Sequence, residues 1–136
     1  MALEYPDVIF LHCSGYKSND SNYTNYFGKI YEARYLSGLA AGSLTESNKI
    51  GYVAAFPIPE VIRGINAFAN GVKEVNPNAT VEVVWTNTWF GPEEETQAAN
   101  ALLEAGADVL TQHQDSASTG IAAEAAGAKW IGYHTG

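Results

Sequence analysis

Cysteine is nearly absent from this chain. Cys13 stands alone among 136 residues, so no internal disulfide forms, and the redox compartment stays unspecified. Basic residues are scarce. Seven Lys plus Arg face 15 Asp plus Glu, a net charge of -8. Such a surface repels phosphate backbones and anionic lipid, which argues against nucleic-acid binding through a basic patch. No apolar run approaches the roughly 20 residues that crossing a bilayer takes. No Gly-rich dinucleotide fingerprint follows any strand-like segment and there is no P-loop, so a nucleotide-cofactor enzyme is disfavoured. The first residues are not a secretory signal, because Glu4 and Asp7 stand where a basic and then an apolar run belongs. Taken alone, this points to the cytosol. The early onset of a strand-like run favours instead an upstream portion, with an export signal, that is missing.

What is present is globular in character: 46% hydrophobic, 12% aromatic and 16% charged residues, at a length that supports one domain with a real core. The spacing predicts a strand over 7–12, a polar loop over 17–25 and a helix from Tyr26 to about Gly42. The apolar face of that helix reads Tyr26, Phe27, Ile30, Tyr31, Ala33, Leu36, Leu39 and Ala40. A strand over 50–55 follows, then a helix opened by Pro57 and Pro59 and closed by Asn76-Pro77-Asn78. Thr80 to Thr86 is dense in β-branched residues and reads as a strand. Gly91-Pro92 leads into a helix whose first acids, Glu93 to Glu95, read as a solvated helix start favoured by the dipole. A strand over 108–112, a small-residue helix over 119–126 and a strand over 129–133 complete the series. Strands alternating with helices imply right-handed crossovers and an α/β fold, a three-layer doubly wound parallel sheet.

In such sheets ligands sit beyond the carboxyl ends of the strands, here His12–Tyr16, Phe56–Glu60, Asn87–Pro92, Gln112–Thr119 and Tyr133–Gly136. These loops hold Trp89, Phe90, Asn87, Gln112, His113, Gln114, Asp115, Tyr133 and His134. A flat heterocycle needs an aromatic face to stack on and amides or a carboxylate to pair with its edge, and base stacking contributes roughly 1–3 kcal/mol. Trp89 suits that role or simple packing equally, whereas Phe90 reads as structural. A metal site would need His12 and His134 to converge on the Gln112–Asp115 run, and the tetrahedral requirement disfavours it. Cys13 follows His12 directly, and neighbours on a strand point to opposite faces, so they are badly placed as nucleophile and base.

Several separated strings resemble one family. They are Glu4-Tyr5-Pro6-Asp7-Val8, Tyr26-Phe27-Gly28, Glu32 to Gly38, Asn48 to Ala54, Pro57 to Val61, Val84 to Phe90, Gly106-Ala107-Asp108-Val109 and Ile131-Gly132-Tyr133. In this order they resemble the basic membrane protein family of type I solute-binding proteins. The resemblance implies a non-catalytic, two-lobed receptor without a cofactor. Such a receptor is lipid-anchored outside the bacterial cytoplasmic membrane and delivers purine nucleosides or bases to an ABC permease. Residues 1–24 would then close the first lobe and cross over, and 25–136 would form most of the second. Carried over by position, Trp89 resembles the indole that stacks on the base, and Gln112 to Ser116 the loop that closes on it, bringing Gln112, His113 and Asp115. Tyr133 lies beside His134, which stands where many relatives have an aspartate, making a free base such as adenine as plausible as a nucleoside. Tyr16 would contribute from the first-lobe side. Apolar surface left uncovered implies self-association of the chain. Two other readings are open: the effector-sensing domain of a transcription regulator, and a small flavodoxin-like enzyme using Cys13.

Overall fold

The structure is a computed structural model that describes residues 1–134; the last two positions of the loop expected over 133–136 lie outside the described residues. Strand β1 (Phe10–Cys13) pairs in parallel with β2 (Tyr23–Tyr26), Phe10 opposite Tyr23 and Cys13 opposite Tyr26, in a separate two-stranded sheet. This corrects the expected loop over 17–25 and the helix start at Tyr26. The polar stretch is a turn built by one carboxamide. Asn19 Oδ1 accepts the backbone N–H groups of Ser21, Asn22 and Tyr23 at 3.1, 2.9 and 2.8 Å, which returns the chain alongside β1.

Helix α1 (Ile30–Leu44) leads into β3 (Lys49–Ala54), α2 (Pro59–Val75), β4 (Thr80–Trp85), α3 (Pro92–Glu104), β5 (Val109–His113), α4 (Ser118–Ala125) and β6 (Lys129–Ile131). The second sheet has the order β4-β3-β5-β6 and is parallel throughout. Side chains alternate across it. Ile50, Tyr52 and Ala54 pack with Val61, Phe68 and Val72, whereas Val53 and Leu110 pack with Ala98, Ala99, Leu102 and Ala123. Helices α1 and α2 thus cover one face and α3 and α4 the other, the expected three layers.

The expected apolar stripe of α1 is not its buried face. The residues it buries are Arg34, Gly38, Ala41 and Gly42, and Leu36 is 63% exposed. The reason is close helix–helix approach. A Cβ at Gly38 would collide with the Phe68 carbonyl oxygen, and one at Gly71 with that of Tyr35. The two backbones touch where side chains would normally intervene, and this rotation turns Arg34 into the core.

The chain runs from β3 to its neighbour β4, then crosses β3 to reach β5 on the other side. The connections therefore diverge between the carboxyl ends of β3 and β5, where open α/β sheets leave a crevice.

Candidate functional site

Four strand ends supply an arc of aromatic rings at that crevice. Phe56 follows β3, Trp89 lies in the loop after β4, His113 ends β5, and Tyr133 and His134 follow β6. Ring centroids are 5.5 Å apart for Phe56 and Trp89, 5.9 Å for Trp89 and His113, 4.2 Å for His113 and Tyr133, and 4.0 Å for Tyr133 and His134. The contacts are tilted rather than stacked, which suits the ring quadrupoles. Trp89 is 38% exposed, so part of its indole surface is open. Among the described residues four non-glycine residues hold positive φ, three of them just after strands and the fourth, Asn48, before β3. Ser14, Asn87 and His134 follow β1, β4 and β6 and hold positive φ angles of 59°, 57° and 52°, a conformation common at functional loops and costly for side chains other than Asn.

Arg34 lies beneath the arc. It is 2% exposed, and its Nη1 donates to Thr111 Oγ1 at 3.2 Å while Nη2 donates to the Gln112 carbonyl oxygen. Its guanidinium lies over the rings of both Tyr52 and Tyr133. Burial pushes the Tyr52 hydroxyl up to about 12, against the opposing pull of Arg34. Burial likewise raises Tyr133, with Arg34 opposing and the charges of Glu60 and Asp115 adding to the rise. Burial, then Arg34 and His134, hold the His113 imidazole down at about 4. His113 is therefore neutral at pH 7, with one ring nitrogen donating and the other accepting. Its Nδ1 is buried without a partner among the described residues.

A cleft of about 590 Å³ opens between the β1–β2 unit and the start of α2, lined by Ser14, Tyr16, Phe27, Ile58, Glu60 and Arg63. The Ser14 hydroxyl donates to Glu60 across it.

Of the residues singled out in the sequence, Trp89, His113, Tyr133 and His134 share the arc. The Asp115 side chain is exposed beside it, and its backbone N–H donates to the Trp89 carbonyl at 2.9 Å. Tyr16 lies in the neighbouring cleft, 86% exposed. Gln112 is fully buried, and its carboxamide nitrogen donates to the carbonyls of Gln114, at 3.3 Å, and of Ser116, so it shapes the loop from within. Gln114 joins the two loops: with its carboxamide assigned so that the oxygen accepts from Thr86 Oγ1 at 2.5 Å, its nitrogen donates to the carbonyls of Thr88 and Trp89 at 2.9 and 3.0 Å. Cys13 is exposed and free, while His12 turns its Nδ1 to the Tyr23 hydroxyl at 2.9 Å.

Sequence reasoning passed over Phe56, Arg34 and Glu95. Phe56 immediately follows a strand inside a loop marked for attention. Glu95 had a clearer signal, since 95, 98, 99 and 102 fall on one helical face, and the last three are apolar. Glu95 is fully buried, in contrast to the solvated start expected for all three acids; Glu93 and Glu94 are exposed.

The arrangement can hold a planar ring between an open indole and polar groups. A family model described as "Bmp: ABC transporter substrate-binding protein PnrA-like" matches residues 1–135. A Haloferax volcanii protein described as an ABC transporter glucose-binding protein is 52% identical over 134 residues, 98% of this chain and 34% of its own length. A purine-binding protein of Brucella abortus is 42% identical over 132 residues, 97% of this chain and 37% of its own length. The chain thus spans about a third of the curated relatives it matches. Among solved structures, an ABC transporter solute-binding protein of Conexibacter woesei superposes with a TM-score of 0.73 at 30% identity, covering 96% of this chain and 45% of that one. A transcriptional activator of the comK gene from Bacillus halodurans superposes with a TM-score of 0.84 at 26% identity, covering 98% and 46%. The chain belongs to the Bmp family of PnrA-like ABC transporter substrate-binding proteins, whose members bind solutes without chemistry.

Proposed function

We propose that this chain is the ring-gripping part of an extracytoplasmic receptor that captures a purine base or nucleoside, adenine foremost, and releases it unaltered to an ABC permease. The observation that carries the reading is the open face of Trp89 within the Phe56–Trp89–His113–Tyr133 arc. A purine stacks on the indole, and neutral His113 with the Asp115 carboxylate addresses its donor–acceptor edge. The Brucella relative, described as purine-binding, supports the same class. The β1–β2 unit, through Tyr26, belongs to one lobe and the β3–β6 sheet with its helices to the other, with Tyr16 approaching the ligand from the first; the boundary expected after residue 24 falls inside β2. The longer receptor would be anchored outside the membrane as a lipoprotein. Closure of two lobes shifts an open–closed equilibrium, so this chain alone binds weakly.

A hexose is the second reading, favoured by the Haloferax relative; an indole also packs against the apolar face of a sugar. An effector-sensing role is the third, favoured by the Bacillus halodurans structure. A thermal-shift screen with adenine, adenosine and glucose at millimolar concentration separates the purine and hexose readings, because ligand binding raises the unfolding temperature by mass action. Adenine is expected to give the largest rise. A rise with glucose and none with either purine overturns the proposal.

A further inference from the structure

Glu95 is a buried carboxylate with no ion-pair partner among the described residues. Burying a carboxylate is costly unless hydrogen bonds compensate it. Two do. Oε1 accepts the backbone N–H of Gly91 at 3.1 Å, and Oε2 accepts the Ser116 hydroxyl at 2.6 Å. The first bond is a helix cap, since Gly91 precedes α3 and has no side chain to satisfy the free N–H groups. A cap uses only one oxygen. The second oxygen reaches a different loop, 21 residues further along the chain. Gly91 closes the loop that carries Trp89, and Ser116 lies in the loop that follows His113, the last residue of β5, and carries Asp115. Ser116 is itself fixed by the Ser118 backbone N–H, which donates to its hydroxyl at 3.2 Å. Other ties between these loops are neutral: Asp115 N–H to the Trp89 carbonyl, and the Gln114 carboxamide to Thr86 Oγ1 and, in the orientation that satisfies both its ends, to the Thr88 and Trp89 carbonyls. The Glu95–Ser116 contact is the charge-assisted one, and such bonds are shorter and stronger.

We infer that Glu95 is a positioning residue, a clamp whose two carboxylate oxygens fix the indole-bearing loop to the Asp115-bearing loop that follows β5. Its bearing on ligand capture rests on the purine reading above; the clamp itself does not. With the Trp89 loop tied to the loop after β5, the indole is placed against His113, which the sheet holds opposite Ala54, before a ligand arrives, and less ordering is required on binding.

Ser116→Ala and Ser116→Thr separate the clamp from the cap, because neither touches the Gly91 bond; Glu95→Gln tests the charge. Two quantities are read on the full chain by NMR: the exchange rate of the Asp115 amide without ligand, and the affinity for adenine. Ser116→Ala and Glu95→Gln should speed Asp115 exchange about tenfold, the effect of losing one charge-assisted bond. Amides in the middle of α3 should keep their rates, Ser116→Thr should restore protection, and adenine affinity should fall several-fold in the two weakened variants. Unchanged Asp115 exchange in both overturns the clamp. Faster exchange in a protein whose wild type binds no purine supports the clamp and overturns the purine reading.

Discussion

The guanidinium carbon of Arg34 lies 4.3 Å from the centroid of the Tyr133 ring, and both residues are buried. A residue of the helix that follows the β1–β2 unit thereby supports a ring at the far edge of the sheet. It also bonds the carbonyl of Gln112, next to His113. Replacing Arg34 with Met keeps the bulk and removes the charge and donors. Loss of the bonds to Thr111 and Gln112 should destabilise the fold by about 1–3 kcal/mol, measured by urea unfolding. Because Arg34 helps to depress His113, the imidazole of Arg34→Met should titrate above its native value of about 4, seen in an NMR pH series. An unmoved His113 would mean that burial and His134 set it without Arg34.

The two depressed groups place the acid sensitivity in separate windows. Folded His113 binds its proton less tightly than the unfolded chain, at about 4 against an ordinary value of about 6.5. Its contribution is complete above pH 6.5 and is lost as pH falls towards 4. At Asp108, partial burial pushes the carboxyl up, but bonds from Thr45 Oγ1 at 2.6 Å and from the Ser47 and Glu46 N–H groups at 2.8 and 2.7 Å hold it down at about 2. Its contribution is present above about pH 4 and disappears towards pH 2. His113→Phe should flatten the upper part of the stability–pH curve and Asp108→Asn the lower, read by urea midpoints from pH 2 to 8.

Close contact of α1 with α2 gives a sharper stability test. Gly38→Ala and Gly71→Ala each force a methyl group into a facing carbonyl, so each should cost about 1–3 kcal/mol as overpacking. Ser37→Ala, one position away, loses only a bond to the Ala33 carbonyl within its own helix, and should cost less than either glycine change. Chemical denaturation of the three variants checks the ranking.

Self-association should track the β1 segment. Ile9 and Leu11 are 76% and 64% exposed around a two-stranded sheet, which is apolar surface and strand edge together. Light scattering after gel filtration should show mass rising with concentration, and the double change Ile9→Ser with Leu11→Ser should reduce it. A strictly monomeric wild type at millimolar concentration would contradict this.

The parallel sheet was legible because the strands of the larger sheet are rich in β-branched and apolar residues, Pro opens α2 and α3, and Asn76-Pro77, Gly106 and Gly127 follow α2, α3 and α4. The helix faces were read less well. In α1 the periodicity of Leu36 and Leu39 outweighed Gly38 and Gly42, whose contribution is the absence of a side chain, and no hydrophobic count registers that. Strand β2 escaped because Asn19 converts a polar stretch into a turn through one side chain, a contact visible only in three dimensions. The carboxyl-end rule singled out Trp89, His113, Tyr133 and His134, whose rings the fold brings together. It could not find Arg34, which reaches the site from a helix interior and from beneath the sheet.

Whether a purine rests on the indole of Trp89 is the question closest to the whole account. Titrating the ¹⁵N-labelled chain with adenine, while following the Trp89 indole N–H beside those of Trp85 and Trp130, answers it through the ring current of a stacked base. The account predicts a saturable shift at Trp89, accompanied by His113, with Trp85 and Trp130 unmoved and no comparable response to glucose. A Trp89 signal that stays in place while adenine saturates shifts elsewhere, or that moves with glucose alone, would contradict it.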